Sequence, residues 1–187
     1  MGRIEDLAAV YERHIRAPWQ RTIAGAQRVM MVVYEKELER TFRARRGEFE
    51  QRTRAAGAGH GWAEFDCTRS FAEWMARDEY KEAYFERPDD LAMKVEGEFA
   101  LSVVNPLRDL LRASDENTVV ALTGVASLYG FARVSQIVRA IEPDIRGRLI
   151  VFYPGSKDGN SYRLLDARDG WNYLANSITL HGVGGGA

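Results

Sequence analysis

Apolar positions are densest between residues 117 and 155, where two continuous runs flank a segment with helical spacing. The runs are Thr118 to Thr123 and Arg148 to Tyr153, and neither has a charge in its interior. Runs of this kind are typical of strands buried on both faces of a parallel sheet. The stripe between them consists of Leu128, Phe131, Val134, Ile137, Val138 and Ile141. The pattern predicts a strand, one helix over the whole stripe, and a second strand.

The first half of the chain predicts two more strands, at Arg28 to Tyr34 and at Trp62 to Cys67. A helix before the first strand ends ahead of Pro18, and a long helix from about Lys36 to Ala55 lies between the two strands. The stripe of the first helix is Leu7, Val10, Tyr11, His14 and Ile15. We therefore expect helix and strand to alternate from the beginning of the chain.

A further helical region is predicted after the second strand. Ser70 and Glu73 match a capping box that opens it. Its later stripe is Leu91, Val95, Phe99 and Val103. Asn105-Pro106 either kinks this helix or begins a new one. After Gly155, the short apolar runs Tyr162 to Leu165 and Ser177 to Leu180 predict edge strands, with a turn at Asp169-Gly170.

Together these elements predict a three-layer, Rossmann-like α/β domain. We expect a mostly parallel central sheet of about four main strands with helices on both faces. The expected strand order is 2-1-3-4. Residues 1–181 form the predicted single domain, and the glycine-rich residues 182–187 a flexible tail.

Composition fits a soluble globular protein of 187 residues and formal net charge −1. Cys67 is the single cysteine, which excludes a disulfide framework and favours the reducing cytoplasm. No secretory signal and no apolar run long enough for a membrane span is present in the sequence.

The charges are distributed unevenly. Between Arg40 and Arg54, six arginines stand against two glutamates, a local charge of +4. Such a run is usually a solvated face with ion pairs, and the alternative is a nucleic-acid contact through Arg40, Arg43 and Arg46. Between Asp78 and Glu98, eight acids stand against three bases, a local charge of −5. This asymmetry suits attraction of a charged partner.

The segment from Phe71 to Phe85 is rich in large apolar side chains. It carries Phe71, Trp74, Met75, Tyr80, Tyr84 and Phe85. One stripe facing a core needs fewer, and aromatic residues are enriched at protein interfaces. Core packing is the default interpretation of such a segment, and a partner-binding surface is the functional one. We predict a partner-binding surface that uses Phe71, Trp74, Tyr80, Tyr84 and Phe85, or else the later segment with Asp166, Asp169 and Trp171.

Motifs for chemistry are scarce in the sequence. There is no phosphate-binding loop with its lysine, no serine triad, and no Cys/His pair with metal-ligand spacing. An anion held by Thr123, Gly124 and Ser127, with Asp66 and Gly155 nearby, is one hypothesis. The alternative is that Gly124 and Gly130 allow close packing. Cys67 is a candidate nucleophile, although a lone cysteine is more often buried and inert. We expect no enzyme activity, metal or cofactor.

Several stretches together resemble one family, the BrxB proteins of BREX phage-defence systems. They are residues 3–7, 18–19, 115–122, 124–131, 145–149, 152–155 and 162–174. The last, Tyr-Arg-Leu-Leu-Asp-Ala-Arg-Asp-Gly-Trp-Asn-Tyr-Leu, is long and specific. The resemblance implies membership of a complex with the phosphatase-like protein PglZ, the methyltransferase PglX and the ATPase BrxC. PglZ is the partner that the resemblance most implies. The resemblance carries no catalytic residues over to this chain.

The function expected from these observations is a non-catalytic adaptor in a BREX complex, bound to PglZ. Two alternatives remain open. One is a nucleotide- or anion-binding regulatory subunit, and the other is an accessory protein that contacts DNA.

Overall fold

Helices and strands alternate along the chain in the computed structural model, which describes residues 2–57, 59–159, 161–165, 167–172, 176–180 and 182–184. For residues 167–172 and 182–184 only the backbone is described. The helices are α1 (Arg3–Ile15), α2 (Glu39–Ala55), α3 (Ser70–Ala76), α4 (Lys81–Glu86), α5 (Pro88–Lys94), α6 (Ala100–Ala113) and α7 (Val134–Ile141). The strands are β1 (Val29–Tyr34), β2 (Gly61–Asp66), β3 (Thr118–Thr123), β4 (Arg148–Asp158), β5 (Ser161–Leu164), β6 (Ala167–Asn172), β7 (Asn176–Thr179) and β8 (Gly182–Gly184).

The sheet has the order β2-β3-β4-β1-β7-β8, and β2, β3, β4, β1 and β7 run parallel. β8 is antiparallel to β7. The second half of β4 extends beyond the parallel region and forms antiparallel pairs with β5, which pairs in turn with β6. The α/β class and the mostly parallel sheet are therefore confirmed.

Two apolar clusters lie on opposite faces of the sheet, as the alternation of side chains along a strand requires. Met31 and Val33 of β1 belong to one cluster, with buried residues of α6 and α7. Met30 and Val32 belong to the other, with α1 and α2. Because each central strand faces helices on both sides, every residue of β1 is buried. This arrangement is the predicted three-layer architecture.

The predicted strand order 2-1-3-4 is wrong, because β1 pairs with β4 and not with β2. β1 and the first seven residues of β4 are buried, which fits the centre of a sheet. β2 contains no buried residue and carries Glu64 and Asp66, which fits the edge. A charged strand leaves its open side to solvent at lower cost than an apolar one.

Two local predictions also need correction. The helix predicted from Leu128 is shorter, since a 3-10 turn (Val125–Leu128) and a loop precede α7 at Val134. Gly130 in that loop has a φ of 82°, which a continuous helix does not allow. Ser70 does not cap α3; Asp66 caps the preceding 3-10 turn by accepting a hydrogen bond from the Thr68 backbone N–H.

Pro106 lies inside α6 and begins no new helix. A π-helical turn, Val95–Phe99, joins α5 to α6, so the backbone stays helical from Pro88 to Ala113.

The end of the chain contributes more to the sheet than predicted. β7 pairs with β1 on one side and with β8 on the other, and so is not an edge strand. β8 lies in the segment expected to be a flexible tail, while residues 185–187 are outside the described ones. Asp169-Gly170 lies within β6, at a shift in its register with β5, where a turn was predicted. The described part of the chain contains no helix that is both long and apolar enough to span a membrane.

Candidate functional site

A polar cleft of about 280 Å³ lies at the carboxyl ends of β2 and β3, beside α2. Its lining residues are Phe42, Arg43, Arg46, Asp66, Thr68, Thr123 and Gly124. The fold therefore brings together two groups of candidate residues that lie far apart in the sequence. They are the arginines of α2 and the anion-binding candidates at the end of β3. Carboxyl ends of parallel strands are the usual place for ligands in such sheets.

Hydrogen bonds connect almost every polar side chain of this cleft. Arg46 Nη1 lies 3.1 Å from Asp66 Oδ2 and 3.1 Å from Glu64 Oε1, and Thr123 Oγ1 donates to Glu64 Oε1 at 3.0 Å. Arg43 Nη2 donates to Thr68 Oγ1 at 3.2 Å. The cleft is thus a connected network in which both arginines already have partners.

Carboxylates compensate both arginine charges. Arg43 Nε donates to Glu39 Oε1 at 2.9 Å, and Glu39 in turn accepts from the Tyr34 hydroxyl at 2.6 Å. Burial alone raises the pKa of Asp66, but hydrogen bonds from Thr68 and Arg46 outweigh it and lower that pKa below its usual value. Asp66 is therefore ionised at neutral pH, so this charge pattern does not favour an added anion.

The remaining anion candidates do not join the cleft. Ser127 lies in the 3-10 turn after β3, where its N–H donates to the Gly124 carbonyl, and no α-helix begins there. Gly155 pairs with Leu164 in the β4–β5 hairpin. Gly124 is needed for close packing, because a Cβ there would lie 2.7 Å from the Thr68 backbone nitrogen. Glu39 and Glu64 are not singled out by any sequence pattern, because their role depends on tertiary contacts.

The basic face of α2 is largely paired. Five of its six arginines form ion pairs among the described residues. The carboxylates come from α2 itself, from α1 and from β2, and they include Glu5, Glu12 and Asp66. The local charge of +4 is thus offset in space, and of the predicted DNA contacts Arg40 alone has no ion pair in the described structure.

An aromatic face lies on the opposite side of the sheet from α2. We use this name for Phe71, Trp74, Tyr80, Tyr84 and Phe85 on and between α3 and α4. None of α3, α4 and α5 contains a fully buried side chain. Tyr80 and Phe85 are 65% and 74% exposed. The three helices lie on the surface of the domain and contribute little to its core.

The other members of the aromatic face are anchored to the domain. The ring of Phe71 stacks on that of Phe131 with centroids 3.8 Å apart, and it meets Phe99 edge to face at 5.4 Å. Trp74 also packs on the buried Phe99, with centroids 5.5 Å apart. Lys94 pairs with Asp78 and lies over the rings of Trp74 and Tyr84. Core packing thus explains Phe71 and Trp74, but not Tyr80 and Phe85.

Unpaired acids surround the aromatic face. In the described structure Glu79, Glu82, Glu86, Asp89 and Glu96 have no ion pair, while Asp78 and Asp90 do. The surface around the exposed rings is therefore acidic as well as apolar. A surface of this kind attracts a basic partner.

The second predicted partner-binding segment contains Asp166, Asp169 and Trp171. Asp166 lies outside the described residues. Asp169 and Trp171 lie in β6, where only the backbone is described.

Cys67 is fully buried after β2. Burial, with a further contribution from the Asp66 charge, raises the pKa of its thiol to about 12. A thiol in this environment is protonated at neutral pH and is a poor nucleophile. Among the described residues, no three His, Cys, Asp or Glu side chains are placed to hold a metal ion.

Comparison with known proteins identifies the family. The model of the family described as "BREX protein BrxB" matches residues 68–178, more than half of the chain. The matched range contains the aromatic face and the loop after β3. No curated protein and no solved structure matches the chain. The chain therefore belongs to the BrxB family and is a component of a BREX phage-defence system.

Proposed function

We propose that this protein is a non-catalytic adaptor of its BREX complex and that it binds the phosphatase-like subunit PglZ through the aromatic face. The observation that carries the proposal is the run of three helices, α3 to α5, with no buried side chain and two aromatic rings left in solvent. PglX and BrxC are further possible partners.

Energetics support an interface here. Phe and Tyr side chains lose a large apolar area when a partner covers them, and exposed rings set among polar residues are frequent sites of association. The half-buried side chains of Phe71 and Trp74 anchor the aromatic face by packing on the buried Phe99. A partner would therefore bind a surface whose shape already exists, with little cost in conformational entropy.

The sharpest test changes the two exposed rings, Tyr80→Ser together with Phe85→Ser. Because both side chains point into solvent, the double variant should unfold at the same denaturant concentration as the unsubstituted protein. Co-purification with PglZ at about 0.15 M salt should be lost or strongly reduced. Trp74→Ala and Tyr84→Ala are less suitable, since Trp74 packs on Phe99 and its loss would mix folding with binding.

A matched control is Arg40→Ser together with Gln51→Ser, two exposed positions of α2 on the other side of the sheet. This variant should bind PglZ normally. Normal binding by the Tyr80/Phe85 variant would mean that the aromatic face is not the interface.

A nucleotide- or anion-binding regulatory role is the second candidate. The position of the polar cleft at the carboxyl ends of β2 and β3 favours it, whereas the pairing of both cleft arginines with carboxylates does not. Nucleotides at millimolar concentration would then raise the melting temperature. A ligand at 100 times its Kd stabilises by about 2.7 kcal/mol. Arg46→Gln should abolish that shift, and a melting temperature unchanged by any nucleotide would contradict this role.

A DNA-contacting role is the third candidate, through the exposed Arg40 with Arg43 and Arg46. Duplex binding should then weaken steeply with salt. Arg40→Glu should reduce it further, and duplex affinity unchanged by that substitution would exclude this face of α2.

A further inference from the structure

An open apolar groove of about 880 Å³ lies between α5, with its π-helical turn, and the loop of residues 129–133. One wall is a single helical face, formed by Pro88, Leu91, Ala92 and Val95. The other wall contains Tyr129 and Phe131, which are 52% and 37% exposed. The groove adjoins the aromatic face through the stacked rings of Phe71 and Phe131.

The walls of the groove indicate which kind of peptide would fit. An extended peptide binds by adding a strand to a free sheet edge. Leu164 is the strand residue among the lining residues, and its strand β5 is already paired with both β4 and β6. The remaining lining residues lie on helix and loop, and most of them offer apolar side chains. Such a wall accepts the apolar face of a helix, whose anchors recur at i, i+3 or i+4, and i+7.

The charge around the groove indicates the polar face of that helix. Glu96 lines the groove, Asp89 lies in the first turn of its helical wall, and Glu86 ends α4 just before that wall. None of these three has an ion pair in the described structure, and the segment from Asp78 to Glu98 carries eight acids against three bases. Arg133, on the loop side, is the opposing charge among the lining residues. The surroundings are therefore acidic where the helix wall meets solvent.

We propose that the groove receives an amphipathic helix, apolar on one face and rich in Lys or Arg on the other, from another subunit of the same assembly. This inference rests on the adaptor function and adds to it the chemical character of the bound segment. Tyr129 and Val95 contact the apolar face of the incoming helix, and Glu96 and Asp89 pair with its basic side chains.

The test is co-expression of the chain with the other subunits of its defence system, followed by purification. A photo-crosslinking benzoylphenylalanine replaces Tyr129, which is exposed and lines the groove. Two single variants are compared, Ala92→Arg, which places a long charged side chain in the groove, and Met93→Arg, which adds the same side chain to the same helix. Met93 is 76% exposed and does not line the groove.

The expected result is a cross-link to a basic amphipathic helix of another subunit, mapped by mass spectrometry. Ala92→Arg should weaken the association by about tenfold or more and remove the cross-link, while Met93→Arg leaves both unchanged. Equal melting temperatures of the two variants would exclude misfolding as the cause.

Other outcomes overturn the proposal. Undiminished association of Ala92→Arg, or a cross-link to a strand, an acidic segment or a second copy of this chain, means that the groove does not bind such a helix. The adaptor proposal survives that result if the Tyr80/Phe85 variant still loses PglZ. When no subunit co-purifies with the unsubstituted chain, the adaptor proposal fails, and the groove proposal fails with it.

Discussion

A side chain on Gly124 would collide with Asp66, because a Cβ at Gly124 would lie 2.5 Å from Asp66 Oδ1. The loop after β3 and the turn after β2 therefore approach each other as closely as the backbone allows. The same Cβ would lie 2.7 Å from the Thr68 backbone nitrogen, so rotation of the Asp66 side chain alone cannot relieve the contact. Asp66, Thr68 and Gly124 all line the polar cleft.

Gly124→Ala should therefore lower the free energy of unfolding more than Gly130→Ala does. Both glycines have positive φ, 67° and 82°, so both substitutions introduce strain of about 1–2 kcal/mol. Overpacking adds about 1–3 kcal/mol at Gly124, whereas a Cβ on Gly130 has no atom within 4 Å. Urea unfolding of the two variants measures the difference. Equal costs would mean that the two loops separate easily.

Tyr11 and Thr53 join α1 to α2 by a buried hydrogen bond of 2.6 Å. The Thr53 hydroxyl donates its hydrogen to the Phe49 carbonyl at 2.7 Å, so the Tyr11 hydroxyl is the donor to Thr53. Tyr11→Phe should cost about 1 kcal/mol, and Thr53→Val about 1–3 kcal/mol because it leaves a buried hydroxyl unpaired. The double variant should cost less than the sum of the two. Strict additivity in urea unfolding would show that the two groups do not interact.

Stability should fall as the pH is lowered through the titration range of His14. Burial, with repulsion from Arg148, lowers the pKa of His14. The imidazole of His14 therefore binds a proton more readily in the unfolded chain than in the folded one. Its contribution to the free energy of unfolding is complete above the unfolded pKa of about 6.5 and declines as the pH falls towards the lower folded pKa. His14→Gln should flatten the change in unfolding free energy between about pH 7 and pH 5.

The aspartates whose pKa values are lowered, among them Asp66 and Asp144, titrate below this range and serve as an internal control. Their contribution to the free energy of unfolding is present above the usual aspartate pKa and is lost only at more acidic pH. An unchanged slope in the His14→Gln variant would mean that another group causes the pH dependence.

Cys67 should resist alkylation in the folded protein. Its thiol is buried and its pKa is raised to about 12, so little thiolate is present at pH 8. Iodoacetamide should modify it slowly in buffer and rapidly in concentrated urea, as followed by intact mass. The readout is unambiguous because the chain has one cysteine. Rapid labelling of the folded protein would restore Cys67 as a candidate nucleophile.

Local sequence pattern predicts the structure correctly where neighbouring residues alone determine it. The continuous apolar runs of β1, β3 and β4 can satisfy burial on both faces only inside a covered sheet, so the α/β class follows from them. The bounds of α1 and α2 follow similarly from helical spacing. Prediction failed at Leu128, because an apolar stripe does not reveal that Gly130 adopts a positive φ and interrupts the helix.

The candidate sites were predictable in composition but not in arrangement. The aromatic excess in residues 71–85 is evident in the sequence, yet only packing on Phe99 and Phe131 separates the anchored Phe71 and Trp74 from the exposed Tyr80 and Phe85. Likewise, the six arginines of α2 predict a basic surface when the sequence is read alone. In the folded chain, Glu5 and Glu12 of α1 and the acids of β2 lie beside them and offset their charge.

Taken alone, the amino-acid sequence determined the alternation of helices and strands, the three layers and the presence of an acidic, aromatic segment, because these depend on the period and chemistry of neighbouring residues. The tertiary structure decided that β1 lies next to β4, that the arginines of α2 are paired, and that α5 and the loop of residues 129–133 enclose a groove. Those features depend on contacts between residues far apart in the chain, and many pairings of the same strands and charges satisfy the local pattern equally well.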